Sequence, residues 1–400
     1  MHRHPATGSP VGRRLLIPDD VFTAVLAGTR ALRAAGYEPW IAAAVPGAYA
    51  SRSRATAGVV AVPDAGPDPE GFVQALAAAA GRLRIAAVLP GTETALTVLA
   101  GREADFPAGV VLAIPGADVV RRATDKALLG SLATQVGLQS PRTVHVRAGE
   151  LGAMHPPLIL KPLRSAVAGG GTHRLGWVRR IDTVAELEAA AEETAGEEWV
   201  AQEFVDGTLC AVAGVFWAGE LVCASHQVAH RIWPPVCGIS AYAETVPRDL
   251  DLEERVAAIL RAIGWRGMFE LQLIRTETGR YVIDLNTRFY GSLALAVAAG
   301  LNLPAIWVDL ELGRTPHVGD YHPGVRYRSE ERDAQAILRL ARERRWGAAL
   351  DALRPRRRTT HALFSWRDPK PFLTRAAAAV TRRRRDGAAA VPAQAGQDDG

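Results

Sequence analysis

Short apolar runs alternate with amphipathic stretches from Arg13 to about Ala123. RRLLIPD, YEPWIAAA, AGVVAVP, IAAVLP and GVVLAIP are almost unbroken apolar segments bounded by Pro, Gly or Asp, and they predict buried strands. VFTAVLAGTRALRAAG and FVQALAAAAGRL carry apolar residues at helical spacing and predict helices between them. This order predicts an α/β domain over residues 13–120 with a parallel sheet covered on both faces. Such sheets bind ligands beyond the C-terminal ends of their strands, which directs attention to Pro18-Asp19 and Pro90-Gly91-Thr92-Glu93. No GxGxxG follows the first strand, so dinucleotide binding has no support. Thr92 reads equally as a helix cap or a ligand contact.

Further along, Thr124 is placed to cap a helix through Lys126, Leu129 and Val136 that Gly137 ends. Lys126 then falls in a first turn, where a cation opposes the helix dipole, so a phosphate partner explains it better than local structure does. PPLILKPL predicts a buried strand carrying Lys161, followed by SAVAGGG, and Thr183 with Glu186 forms a capping box for the next helix. EEWVAQEFV predicts a strand, and CAVAGVFW and ELVCASH a hairpin about Ala218-Gly219. The stretch from Ser225 to Glu244 reads as a loop, Leu252 to Ile263 as a helix, and MFELQLI and RYVIDLN as strands joined at Thr278-Gly279. Beyond about Gly319 the chain becomes Arg-rich and helical, and GAAAVPAQAGQDDG reads as a disordered tail.

Composition narrows the classes. The chain has 400 residues, 48% of them hydrophobic, and a mean hydropathy of +0.02, which predicts folded, multidomain material. Its 47 basic and 42 acidic residues leave a net charge of only +5, no argument for nucleic acid. Three cysteines without a CxxC pair argue against a disulfide framework or zinc finger and fit a reducing cytosol. The apolar stretch Leu15 to Pro18 is too short for a signal peptide, and Gly300, Asn302 and Pro304 interrupt the longest apolar run, so neither export nor a membrane role is expected. The basic runs at Arg354 to Arg358 and Arg382 to Arg385 lack interleaved aromatics and read as solvated helix surface. Lysine is the informative residue: only Lys126, Lys161 and Lys370 occur in a chain that otherwise uses Arg, suggesting positions that need a compact ammonium.

Two segments carry candidate chemistry. In the Gly run that ends at Gly169, Gly170 and Gly171, small residues let backbone N–H groups approach a phosphate, although a flexible loop has the same composition. In the strand pair, period-2 alternation puts Glu270 and Gln272 on one face of one strand and Asp284 and Asn286 on one face of the other. Such an oxygen-donor set suits Mg²⁺, or a half-exposed sheet. Arg288 continues the direction of Asn286 and is placed to meet a phosphoryl group.

The ordered set of Lys126, Lys161 before the Gly run, AQEFVDG, and Gln272, Asp284, Asn286 and Arg288 in FELQLIRTETGRYVIDLNTR resembles the ATP-grasp superfamily, nearest to its carbamoyl-phosphate-synthetase and biotin-carboxylase-like carboxylate ligases. The resemblance implies a Rossmann-like N-terminal domain over 13–120 and a two-part ATP-grasp fold over 121–318, with a lid at about 121–200 and a central part at 201–318. An Arg-rich helical extension at 319–386 and a tail at 387–400 would follow. It further implies Lys126, Lys161 and Gly169 to Gly171 on the phosphates of ATP, and Gln202, Glu203, Phe204 and Val205 around adenine. Asp284, Asn286 and Gln272 would hold Mg²⁺, with Glu270 as the substitute for Gln272, and Arg288 would steady the carboxylate being activated. The family's ribose-binding Glu is replaced by Leu209, its metal-strand Glu by Asp284 and its Pro before the catalytic Arg by Thr287. Arg231 is the candidate clamp for a substrate carboxylate. The implied activity joins a small carboxylate to an amine with ATP and Mg²⁺ in a cytoplasmic enzyme, with a homodimer admitted. A bicarbonate-activating enzyme and a non-catalytic ATP-binding module are the alternatives.

Overall fold

The computed structural model describes residues 12–19, 21–146, 154–162, 178–193 and 199–377. The N-terminal elements are β1 (Arg14–Pro18), α1 (Thr23–Ala34), β2 (Glu38–Ala43), β3 (Gly58–Ala61), α2 (Pro69–Leu83), β4 (Ala87–Val88), α3 (Glu93–Leu99), β5 (Val111–Leu112) and α4 (Ala117–Thr124). Their strands pair in parallel in the order β3-β2-β1-β4-β5, as the apolar runs predict. Leu15, Leu16 and Ile17 of β1 are fully buried. Strand order reverses between β1 and β4, which opens a crevice at their C-terminal ends. The loops there meet so closely that a Cβ on Gly91 would lie 2.3 Å from the Pro18 carbonyl oxygen. Thr92 acts as a helix cap, accepting from the Ala95 N–H at 3.2 Å, and this sets Glu93 in the first turn of α3.

After α5 (Lys126–Gln135) comes a four-stranded sheet in the order β6-β9-β7-β8, built from β6 (Thr143–Val146), β7 (Leu158–Pro162), β8 (Arg179–Ile181) and β9 (Trp199–Glu203). The helix α6 (Val184–Glu193) accompanies it, opened by the expected capping box: the Glu186 N–H donates to Thr183 Oγ1, and the Thr183 N–H to Glu186 Oε2.

The remaining elements are β10 (Thr208–Trp217), β11 (Glu220–Trp233), β12 (Ile239–Val246), α7 (Leu250–Ile263), β13 (Gly267–Arg275), β14 (Arg280–Asn286), α8 (Leu293–Ala298), α9 (Leu303–Glu311), β15 (Arg326–Arg328), α10 (Glu330–Arg342), α11 (Trp346–Leu353) and β16 (Thr359–His361). Their strands form a sheet in the order β14-β13-β10-β11-β12-β15-β16. One of its cores gathers β13 and α7, including Phe269, Leu271, Ile259 and Leu260, with Leu129 and Leu132 of α5. Another joins Leu15, Val25 and Ile41 of the N-terminal domain to Phe289, Leu293 and Trp307. Gly28 is where α1 meets this second core, since a Cβ there would lie 2.7 Å from the Phe289 ring. This shared core fixes the β1/β4 crevice against the end of β14.

Three sequence expectations are revised. Thr124 ends α4 and hydrogen-bonds back to Val120; the α5 cap is Asp125, whose carboxylate accepts from the Ala127 and Leu128 N–H groups at 2.9 and 3.0 Å. A carboxylate one residue later serves the open helix dipole better than a hydroxyl. The Ser225 to Glu244 stretch is mostly β11 and β12, with a tight turn only at residues 234–238; its half-buried alternation was hidden by His and Arg side chains that are satisfied in pairs. The C-terminal extension is helical but also adds β15 and β16 to the sheet, strands too short to show a period. It further closes on the N-terminal domain: Asp368 accepts from Arg30 Nε (2.9 Å), Ser53 Oγ (2.6 Å) and the Arg54 N–H (3.0 Å). The run Arg382 to Arg385 and the tail lie outside the described residues.

Candidate functional site

The site begins with the register of β13 and β14, which sets Glu270 opposite Asn286 and Gln272 opposite Asp284. Alternation therefore puts all four on one face, as expected. The segment after α5 is stitched to β14, with the Gln139 N–H donating to the Arg280 carbonyl at 2.9 Å and the Val282 N–H to the Gln139 carbonyl at 2.8 Å. This brings Lys126 Nζ within 3.9 Å of Asp284 Oδ1. Lys161 reaches across from the smaller sheet: its ammonium donates to Gln202 Oε1 at 3.1 Å and to the Ile283 carbonyl at 3.3 Å. Two of the three lysines thus meet at one acid. Burial, and then repulsion from Lys126, pulls the Lys161 pKa down to about 8 against the attraction of Asp284. Burial pushes the Asp284 carboxyl up, but Lys126, Lys161 and Arg288 outweigh it and hold its pKa below the usual value.

One step along the ladder the surroundings change. Glu270 is buried, and its Oε2 accepts from Asn286 Nδ2 at 2.9 Å and Gln272 Nε2 at 3.1 Å, while Oε1 accepts from Gln227 Nε2 at 3.2 Å and Ser292 Oγ at 3.3 Å. Its hydrogen-bond partners are neutral, and among the described residues no ion pair holds it. Burial raises its pKa to about 7. The sequence reading placed Gln272 ahead of Glu270 as a cation ligand; in the structure the Gln272 amide supports the Glu270 carboxylate. Gln227 and Ser292 escaped that reading. Gln227 reaches Glu270 because β10, lying between their strands, presents only Ala211 and Ala213 there. A lone Gln amid buried positions of β11 was the available signal.

Arg288 extends from the end of β14 toward the N-terminal crevice. Its Nη2 lies 3.9 Å from Glu93 Oε2, and its Nη1 donates to the Phe289 carbonyl at 2.9 Å. Glu93, Lys126 and Asp284 line one cleft. The strand-end rule that singled out Pro90 to Glu93 thus led to a residue of this site.

The other candidates fall around it. Gln202 is buried, accepting from Lys161 and donating from Nε2 to Thr143 Oγ1 at 2.9 Å. The backbone N–H groups of Glu203 and Phe204 bond to the Arg142 and Pro157 carbonyls, and the Arg180 guanidinium sits 4.1 Å from the Phe204 ring centre. Val205 follows in the connection to β10, where Leu209 is buried opposite Ile274. Arg231 sits further along β11, with its fork on Asp333 at 2.6 and 3.1 Å and its plane 4.3 Å from the Tyr242 ring centre. Its carboxylate partner is thus one of the chain's own. His226 pairs with Glu253 and His230 with Glu244, and Cys237 Sγ lies 3.3 Å from the Val178 carbonyl oxygen. Gly169, Gly170 and Gly171 lie outside the described residues.

A donor set of two carboxylates and two amides on one strand pair fits a hard divalent cation. The buried Glu270 strengthens that fit, because its hydrogen-bond partners are all neutral and its one favourable charge, Arg288, makes no ion pair with it.

Comparisons with known proteins bear on the fold. Residues 196–332 match the family model described as "ATP-grasp in the biosynthetic pathway with Ter operon". No curated protein matches the chain in sequence. Among solved structures, the L-amino acid ligase from Bacillus licheniformis superposes with a TM-score of 0.60 at 18% identity, over 76% of this chain and 75% of that one. The ADP complex of N5-carboxyaminoimidazole ribonucleotide synthetase gives 0.58 at 12% identity, over 79% and 80%. The biotin carboxylase domain dimer of Hydrogenobacter thermophilus 2-oxoglutarate carboxylase, bound to MgADP, ADP and bicarbonate, gives 0.57 at 13% identity, over 78% and 73%. The chain has the ATP-grasp fold, as its motif order implies.

Proposed function

We propose that the protein is an ATP- and Mg²⁺-dependent ligase that activates a small carboxylate and joins it to an amine. The observation that carries this reading is the convergence of Lys126, Lys161 and Asp284, drawn from α5, the smaller sheet and the larger sheet, beside the unpaired Glu270. Two ammonium groups close enough to repel each other, one of them lining the cleft, suit a triphosphate far better than they suit each other. Lys126 and Lys161 bind the nucleotide's phosphates, and Gln202 to Val205 border its base. Glu270, Asp284 and Asn286 hold Mg²⁺, with Gln272 orienting Glu270; the ion, when bound, neutralises phosphate charge. Arg288, steered by Glu93, meets the carboxylate and the phosphoryl group it receives.

The substrate carboxylate attacks the γ-phosphorus, ADP leaves, and the amine then displaces phosphate from the acylphosphate. The chain's contribution is electrostatic and positional: cations preset where negative charge collects, in a cleft partly shielded from water. The ligands named for the structural neighbours, ADP, Mg²⁺ and bicarbonate, support the nucleotide and metal assignments by analogy. Three free cysteines support a reducing cytosol as its place of work.

Carboxylate-dependent ADP release is the test. Lys161→Ala and Arg288→Ala should each lower it by roughly 10²–10³-fold with an unchanged melting curve; full turnover in both variants overturns the assignment. ADP release with bicarbonate alone favours the bicarbonate-activating alternative, and ATP binding without release under any carboxylate and amine pair favours a binding module.

A further inference from the structure

The helix α11 is built inside out. Its small residues Ala349 and Ala352 are buried, at 4% and 5% exposure, while Trp346, Leu350 and Leu353 are 60%, 63% and 59% exposed. These three stand at i, i+4 and i+7 and so form one apolar row along the outer face. A core-facing helix does the reverse, so this row is left uncovered by the described residues and is suited to a surface outside them. The flanks are strongly basic. Across residues 338–358 the exposed charged residues are eight arginines, Arg339 to Arg345 and the 354–358 segment, against Glu343 and Asp351 alone. Those two acids are already shared among four of the arginines.

We infer that the outer face of α11 is a docking surface for an anionic lipid bilayer. The row protrudes from a convex helix, so it suits a deformable apolar layer better than a partner's fitted groove. A Trp and two Leu enter the boundary below the headgroups while the flanking arginines stay at their level. A second copy of the chain is disfavoured, because a two-fold contact would set one arginine-rich flank against another. No helix among the described residues is long and apolar enough to cross a membrane, so the contact is lateral. The sequence expectation of no membrane role rested on spanning segments alone. Three large apolar residues in eight raise no signal until the fold shows which side is outward.

The test uses the full chain and phosphatidylcholine vesicles with and without about a third phosphatidylglycerol, read by co-sedimentation at low and physiological salt. Binding is expected only to the anionic vesicles, weakening roughly fivefold or more on raising salt. The variant Leu350→Glu/Leu353→Glu should weaken it at least about tenfold with unchanged melting, since both side chains are exposed. Three results overturn the proposal. One is no association at low salt, which leaves the face to a protein partner. Another is undiminished binding by the variant, which assigns the association to charge elsewhere, such as Arg382 to Arg385. The third is a wild-type dimer that the variant dissociates.

Discussion

Two buried acids, Asp368 and Glu270, are held in opposite ways. Asp368 closes the C-terminal extension onto the N-terminal domain, with Arg30, Ser53 Oγ and the Arg54 N–H on its carboxylate. Burial pushes its pKa up, but these partners outweigh burial and hold it below the usual value. Glu270 receives four hydrogen bonds to the three of Asp368, yet all from neutral groups, and burial raises its pKa to about 7. The first acid has its counter-charge within the chain and needs nothing more. The second has no ion pair among the described residues and feels only the more distant charge of Arg288, which is the feature the proposed Mg²⁺ site draws on.

The largest effect expected from this contrast is on catalysis at Glu270. Glu270→Gln keeps a similar shape and removes the unpaired charge, so Mg²⁺-dependent ADP release should fall by about 10³-fold while the melting temperature stays level or rises. A melting temperature lowered as far as by Asp368→Asn would break the comparison. Next in size, Asp368→Asn should remove about 2–3 kcal/mol of stability, measured by urea unfolding, while ADP release per folded molecule stays within about twofold. The sign with pH follows from the depressed native pKa. The unfolded chain binds the proton first as pH falls, so the gap between wild type and variant is full above the ordinary carboxylate range. It closes as pH drops through the lower native value.

A smaller effect concerns Lys161, whose pKa of about 8 makes its charge depend on the partner. Only the ammonium form attracts phosphate, so ATP affinity should weaken above about pH 8, by up to about tenfold per unit, with protons taken up on binding. Calorimetry in buffers of different ionisation enthalpy measures that uptake, and pH-independent affinity between 7 and 9 removes Lys161 from the phosphate site. Least of all, Ser292→Ala takes one donor from Glu270 and should lower stability by roughly 1 kcal/mol and activity by a few fold. A loss as large as that of Glu270→Gln would give Ser292 a role of its own.

Much of this could be read along the chain. The apolar runs predicted the parallel sheet, Thr183 and Glu186 the start of α6, and the rarity of lysine pointed to Lys126 and Lys161 before any fold was known. The strand-end rule led to Glu93. Less legible were the partners. Gln227 lies 43 residues from Glu270 and Ser292 lies 22, and nothing local distinguishes them from other polar residues on half-buried elements. Arg231 looked like a free clamp because its partner Asp333 stands on a helix 102 residues away.

Sequence alone determined which side chains share a face, because alternation along a strand and recurrence along a helix are set by backbone geometry within a few residues. It determined the caps for the same reason, to within one position at Asp125. Only the tertiary structure decided which charges are matched. Strand order, the alanine gap on β10 and the core shared with the N-terminal domain bring Glu93, Lys126, Lys161, Glu270 and Asp284 together from distant segments. Whether a buried acid meets a guanidinium or only amides is a property of that assembly, since Coulomb attraction depends on separation in space and not along the chain.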